Sequence, residues 1–284
     1  MKTDPQMAVQ VCNMTKSYGK VRALRSLNLD IARGEIFAIL GPNGAGKSTA
    51  IEILEGQRKR DGGDVSVLGQ DPGTAGRSWR SRIGIVLQET SDFGMLTVAE
   101  TVQMFGKCYG SARTCAELLD LVGLAANGRC RVRTLSGGQR RRLDVALGII
   151  GYPELLFLDE PTTGFDPEAR RAFWDLIRLL ASDGTTIVLT THYLEEAAAL
   201  ADRVAVIADG QLMALNSPAL LTAHIASAAT VTWMQDGVAQ IHRTERPTEL
   251  IRRLSAEGME LTQLTVTRPS LEEAYLMLIE RDHT

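Results

Sequence analysis

The chain has 284 residues, of which 44% are hydrophobic and 23% charged, with a formal net charge of −3. Those proportions are ordinary for a soluble globular protein, and the length suits one large domain plus a small one. The weak negative balance supplies no global field toward nucleic acid or acidic lipid. No run approaches the ~18 uninterrupted apolar residues of a membrane span, and the first ten residues lack the apolar core of a signal peptide. The chain is therefore not expected to form a pore, and any membrane role would come by attachment to another protein. Cys12, Cys108, Cys115 and Cys130 fall at no zinc or redox spacing, so they read as reduced thiols in a cytosolic protein.

In chain order, residues 9–11 and 27–31 alternate as strands, punctuated by Gly19 and Gly34. Residues 36–40 are continuously apolar and read as a buried strand. Directly after them comes Gly41-Pro42-Asn43-Gly44-Ala45-Gly46-Lys47-Ser48, and then a helical pattern over 49–54. Strand, glycine loop and helix are the context that gives G-x-x-x-x-G-K-[ST] its meaning as a phosphate-binding loop. Backbone N–H groups turn inward around phosphate oxygens where no Cβ blocks the approach. The helix adds the positive end of its dipole. In this pattern Lys47 reaches the β- and γ-phosphates and the Ser48 hydroxyl ligates Mg²⁺.

Residues 64–68 and 83–87 read as two further strands. From about 97 to 150 the apolar spacing becomes helical, as an insertion. Within it, Leu135-Ser136-Gly137-Gly138-Gln139 contains S-x-x-Q, a helix-start signature. Two glycines in its first turn leave the backbone N–H groups bare, a second anion-binding helix end. Two copies arranged head to tail could close this helix start over a nucleotide held by the other's phosphate loop. Taken alone, the same residues read equally as a well-capped helix.

Strand character returns at 155–158 and 186–189, with an amphipathic helix over 170–180 between them. Asp159 emerges at the carboxyl end of the first of these strands, where ligands bind in open α/β sheets. It is the expected metal partner, acting through water. Glu160 follows, then Pro161, so the chain leaves the sheet there. Glu160 is the expected general base, activating the water that attacks the γ-phosphate. Alternating helices and nearly all-apolar strands imply an α/β fold with a mostly parallel sheet covered on both faces.

Composition shifts near 216–218. Beyond lies a small α+β extension with strands expected over 228–233 and 261–267, a helix over 247–254, and a final helix opened by the capping box of Ser270 and Glu273. In that last helix Leu271, Ala274, Tyr275 and Leu278 share one face. This divides the chain into a domain over 1–219 and an accessory domain over 220–284.

Residues 41–49, 135–139 and 155–160 resemble, in order and spacing, the Walker A loop, signature motif and Walker B strand of the ATP-binding-cassette (ABC) ATPases. The resemblance spans about residues 7–217, and the core motifs carry no departure that would mark a dead site. It implies a cassette with an antiparallel β subdomain and a helical signature subdomain. Two such domains would sandwich two ATP molecules, with Thr49 completing the phosphate loop. It implies that Tyr18 stacks on adenine and that Gln88 senses Mg²⁺ and the attacking water and contacts the membrane partner. By the same resemblance Asp166 lies in the loop crossing to the opposite subunit, and His192 contacts the γ-phosphate. The tail, Pro269-Ser270-Leu271-Glu272-Glu273-Ala274-Tyr275, resembles the ATPase subunits of daunorubicin-resistance exporters, in which ATPase and permease are separate chains. The implied protein is a peripheral homodimer on the cytoplasmic face of the cell membrane. It would drive efflux of a drug-like, antibiotic or lipid-like substrate and have no nucleic-acid partner. An importer ATPase and a soluble, non-transport cassette are the alternatives.

Overall fold

A computed structural model describes residues 6–86, 93–225, 228–235, 238–256, 261–267, 270–273 and 275. The chain divides into two compact units, Met1–Ala214 and Leu215–Thr284.

The first unit begins with β1 (Met7–Tyr18) and β2 (Val21–Ala32), then β3 (Ile36–Leu40), α1 (Lys47–Leu54), β4 (Gly62–Val67), α2 (Arg77–Arg80) and β5 (Ile83–Val86). A helical block follows: α3 (Val98–Gly106), α4 (Cys115–Leu121) and α5 (Gly137–Ile149). The chain then returns through β6 (Leu155–Asp159), α6 (Pro167–Ser182), β7 (Thr186–Thr190), α7 (Leu194–Leu200), β8 (Arg203–Ala208) and β9 (Gln211–Asn216).

Two sheets result. One is antiparallel, ordered β2-β1-β4; the other has six strands, ordered β5-β6-β7-β3-β8-β9. In the larger sheet β3 pairs in parallel with β7 and β8, and β6 in parallel with β5 and β7. Every residue of β3 and β7 is buried, as are the first four of β6. That burial explains their unbroken apolar runs, since a central parallel strand has no wet face to encode by alternation. Burying a side chain such as Phe157, fully inaccessible here, contributes about 1.5–3 kcal/mol. β3, β6 and β7 deliver their carboxyl ends to one edge of the sheet, and the phosphate loop, Asp159–Glu160 and His192 all leave from that edge.

All three helices of the block start with a capping box: Thr97 with Glu100, Thr114 with Glu117, and Ser136 with Gln139. Each box satisfies two backbone donors that the helix cannot satisfy internally. α5 then packs on β5 at backbone range. A Cβ on Gly84 would lie 2.2 Å from the Gly148 carbonyl oxygen, and one on Gly148 would lie 2.7 Å from Val86 Cγ2. The two glycines are what allow this approach.

The second unit carries α8 (Pro218–Ile225), β10 (Ala229–Gln235), β11 (Val238–Thr244), α9 (Pro247–Ala256) and β12 (Thr262–Thr267). Its antiparallel sheet is ordered β11-β10-β12. Val231 and Trp233 of β10 pack on Leu250 and Leu254 of α9, with Ile251 and Leu261 at the margin. The capping box at Ser270 and Glu273 forms as expected, with both reciprocal bonds present at 3.0 and 3.2 Å. Ala274 and Leu278, expected on the face of that last helix, lie outside the described residues.

The structure differs from the sequence expectations in some elements. β11 was not anticipated, nor were α2, α7, β8 and β9. The strand expected over 64–68 ends at Val67, because Leu68 turns into the left-handed region at φ 49°. All four cysteines are unpaired.

Candidate functional site

The phosphate loop is shaped by contacts that exclude side chains. Gly46 has φ 101°, and a Cβ there would lie 2.4 Å from the Ala23 carbonyl oxygen. A Cβ on Gly41 would lie 2.2 Å from the Ile207 carbonyl oxygen. The loop thus threads between β2 and β8, and α1 starts immediately after it with bare N–H groups at its head.

Ten of the sequence-predicted residues line one cleft of about 710 Å³: Tyr18, Asn43, Gly44, Gly46, Lys47, Ser48, Thr49, Asp159, Glu160 and His192; Ala23 completes it. Lys47 Nζ donates to the Gly41 and Pro42 carbonyls at 2.8 and 3.1 Å, so the cation is folded back over its own loop. Burial pulls the pKa of Lys47 below the ordinary lysine value, and the charges of Glu160 and Asp159 oppose that pull. An ammonium held between carbonyls and two carboxylates is poised to turn toward an incoming anion.

Asp159 ends β6, and its Oδ1 accepts a short hydrogen bond from Thr190 Oγ1 at the end of β7. Glu160 has φ 43°. Its N–H donates to both the carbonyl and the hydroxyl oxygen of Thr190, each at 3.1 Å. Neighbouring strand ends therefore hold two adjacent carboxylates in different surroundings. Asp159 is held against β7 while Glu160 turns out into the cleft. Glu160 Oε1 lies 3.3 Å from His192 Nδ1, and its Oε2 lies 3.5 Å from Thr163 Oγ1. The His192 ring rests on Tyr193, with centroids 4.1 Å apart.

Tyr18, 42% exposed, is the large aromatic at the cleft mouth. Lys16 Nζ and the Arg58 guanidinium stand 5.7 and 5.2 Å from its ring centroid. Gly41, Pro42 and Ala45 shape the loop from behind without lining the cleft. Asp166 sits apart, capping α6 through a 2.8 Å bond that its Oδ1 accepts from Ala169 N–H. Leu135, Ser136, Gly137, Gly138 and Gln139 likewise do not line the cleft of their own chain. Ser136 and Gly137 are exposed at the start of α5, and the cap bonds measure 3.0 and 3.2 Å. Gln88 lies outside the described residues.

Sequence reasoning missed three contributors: Thr190, Thr163 and Arg141. Arg141 is buried on α5, and its fork reaches the loop after β6, where Nε donates to the Pro161 carbonyl at 3.1 Å and Nη2 to the Asp159 carbonyl at 2.6 Å. The apolar spacing in the sequence does not single it out: Arg141 shares a buried face with Val145, Gly148 and Ile149, but Val145, Ala146 and Ile149 stand at i+3, i+4 and i+7 from Arg142.

A cleft with a glycine-lined anion cradle, a lysine cation, a hydroxyl and two consecutive carboxylates at one strand end can hold a nucleoside polyphosphate and direct water at its last phosphorus. The comparisons with known proteins agree. The ABC transporter family profile matches residues 24–163. The chain is 36% identical to the daunorubicin/doxorubicin resistance ATP-binding protein of Streptomyces peucetius over 98% of its own length and 94% of the relative's. It is 42% identical to the Nod factor export ATP-binding protein I of a Rhizobium species (strain N33), covering 78% of this chain and 74% of that one. Among solved structures, the dimeric post-hydrolysis state of an ATP-binding cassette bound to ADP and Pi superposes with a TM-score of 0.66 at 28% identity, over 74% of this chain and 98% of that one. The chain belongs to the ABC-transporter family, as one of its ATP-binding-cassette chains. Across nearly its whole length it is similar to a drug-resistance ATP-binding protein.

Proposed function

We propose that this chain is the ATP-hydrolysing subunit of an ABC exporter, working as a homodimer on a separately encoded membrane permease. The observation that carries the reading is the single cleft joining the phosphate loop, Asp159, Glu160 and His192. The resistance and export functions in the relatives' names favour efflux over uptake, and of a drug-like, antibiotic or lipid-like substrate. Among the described residues no helix is long and apolar enough to cross a membrane. A peripheral position on the cytoplasmic face, held by the permease, fits that finding.

In this reading the loop N–H groups and Lys47 bind the phosphates, and the adenine stacks on Tyr18. Ser48 and Asp159 are the residues that would hold Mg²⁺. They suit it, because Mg²⁺ keeps most of its waters and takes few protein ligands beside substrate phosphates. Among the described residues there is no group of three or more His, Cys, Asp or Glu able to hold a metal alone. When bound, the ion neutralises charge on the phosphate oxygens. Glu160 accepts the proton of the attacking water, and His192 contacts both Glu160 and the γ-phosphate. Gln88 would sense the water and meet the permease. The exposed Ser136–Gly137 helix start grips the γ-phosphate held by the twin, and Asp166 lies in the loop that crosses to it. ATP touches both chains in the shut dimer and one in the open form, so binding shifts the population toward closure.

The test is Glu160→Gln. Losing a general base costs about 10²–10⁴-fold in rate, so turnover should fall at least about 100-fold while ATP still binds. The variant should run as a dimer by light scattering only when MgATP is present. Turnover at the wild-type rate would remove Glu160 from its role.

A further inference from the structure

Glu160 occupies a left-handed backbone conformation at φ 43°. A non-glycine residue is strained there and persists only where its surroundings over-determine it. One restraint is Thr190, which receives the Glu160 N–H from the β7 side. The other comes from the helical block. Arg141 is 7% exposed, and two of its donors take the carbonyls of Asp159 and Pro161, the residues on either side of Glu160. The peptide carrying the carboxylate is thus clamped between a strand end and a helix.

That helix is α5, and its head is the exposed Ser136–Gly137 turn. Arg141 follows Ser136 by five positions along one helix. A guanidinium presents its donors in a fixed planar fork, so a shift of α5 alters both bonds together. Burial pulls the Arg141 guanidinium below the ordinary arginine range, and Asp144 on the same helix, Asp159 on β6 and Glu196 on α7 partly offset that pull.

We infer that Arg141 is a positioning residue: it transmits engagement of the α5 head with the twin's nucleotide to the backbone of Glu160 in its own chain, setting that carboxylate for attack. The inference rests on the head-to-tail reading given under the proposed function. It makes each active site respond to whether its own chain has gripped the other's nucleotide, through main-chain carbonyls rather than through the substrate.

The test uses full-length chains carrying Arg141→Met or Arg141→Lys, assayed for ATP binding, kcat and KM, with melting curves for each. A displacement near 1 Å at reacting groups costs on the order of 10²-fold. The methionine variant should therefore lose about 10–100-fold in kcat with ATP affinity within about twofold of wild type. Lysine keeps the charge and one donor point, and should recover part of the loss. A methionine variant with wild-type kcat overturns the inference. So does a lysine variant no better than methionine, or a loss of affinity matching the loss of kcat. If the methionine chain does not fold, intermediate kcat in the lysine chain supports the inference and wild-type kcat overturns it. The Glu160→Gln chain separates the two claims. If it stays monomeric with MgATP, the head-to-tail reading falls and takes the transmission with it. If it dimerises and Arg141→Met still turns over normally, the transmission alone falls.

Discussion

Glu55, the residue after α1, is 5% exposed, and its carboxylate accepts a 2.8 Å bond from Gln57 Nε2. Burial lifts its pKa from 4.5 to about 8, with Asp159 and Glu52 adding to the rise. The folded chain therefore keeps a proton that the unfolded chain releases above pH 4.5. Stability from this group is whole below that pH and drains away as pH climbs toward about 8. At pH 7 the interval already traversed corresponds to about 3 kcal/mol. Glu55→Gln supplies a neutral group of the same shape with a carbonyl still able to accept from Gln57. It should raise stability by up to about 3 kcal/mol at pH 7, with little change near pH 4.5. Urea unfolding of wild type and variant at pH 5, 6, 7 and 8 reads the difference directly. A gap that is flat across this range, or that widens toward acid, would refute the reasoning.

Three further outcomes are expected. Gly84→Ala forces a Cβ to 2.2 Å from the Gly148 carbonyl oxygen and should cost about 1–3 kcal/mol as overpacking, seen as a lower melting temperature; an unchanged one would contradict the packing described. Lys47→Ala should weaken ATP binding at least tenfold in a calorimetric titration, and unchanged affinity would remove the loop lysine from phosphate recognition. A chain lacking residues 220–284 should still bind ATP, since the cleft lies wholly within Met1–Ala214; abolished binding in a folded truncation would make the tail part of the site.

The cleft was largely legible in the sequence because its parts sit where local rules are strongest. The phosphate loop needs glycines at fixed places, and Asp159 follows four apolar residues that only a buried strand explains. β8, β9 and α7 were passed over, because Ala-rich, short segments such as 194–200 give little periodicity. β11 was hidden for a different reason: every residue of it is at least partly exposed, so no apolar alternation marks it. Thr190 and Thr163 act through their neighbours' carboxylates, and a threonine at a strand end or in a loop carries no composition signal of that role. Arg141 was masked by the two arginines beside it, because Val145, Ala146 and Ile149 stand at helical spacing from Arg142 and the sequence does not say which arginine turns inward.

The glycine pair where α5 meets β5 has a mechanical meaning. Neither glycine carries a side chain to interlock, and the helix meets the strand there through the Gly148 carbonyl and the small tip of Val86, which makes this closest point a natural fulcrum. Ser136 lies twelve residues from Gly148 along the helix, an arm of about 18 Å at 1.5 Å per residue. A tilt of about 10° about that fulcrum carries the helix head through about 3 Å, and the Arg141 position, at just over half that reach, through about 2 Å. Travel of that size exceeds the tolerance of a hydrogen bond, so a small tilt at the glycines suffices to make or break contacts at the far end of the lever.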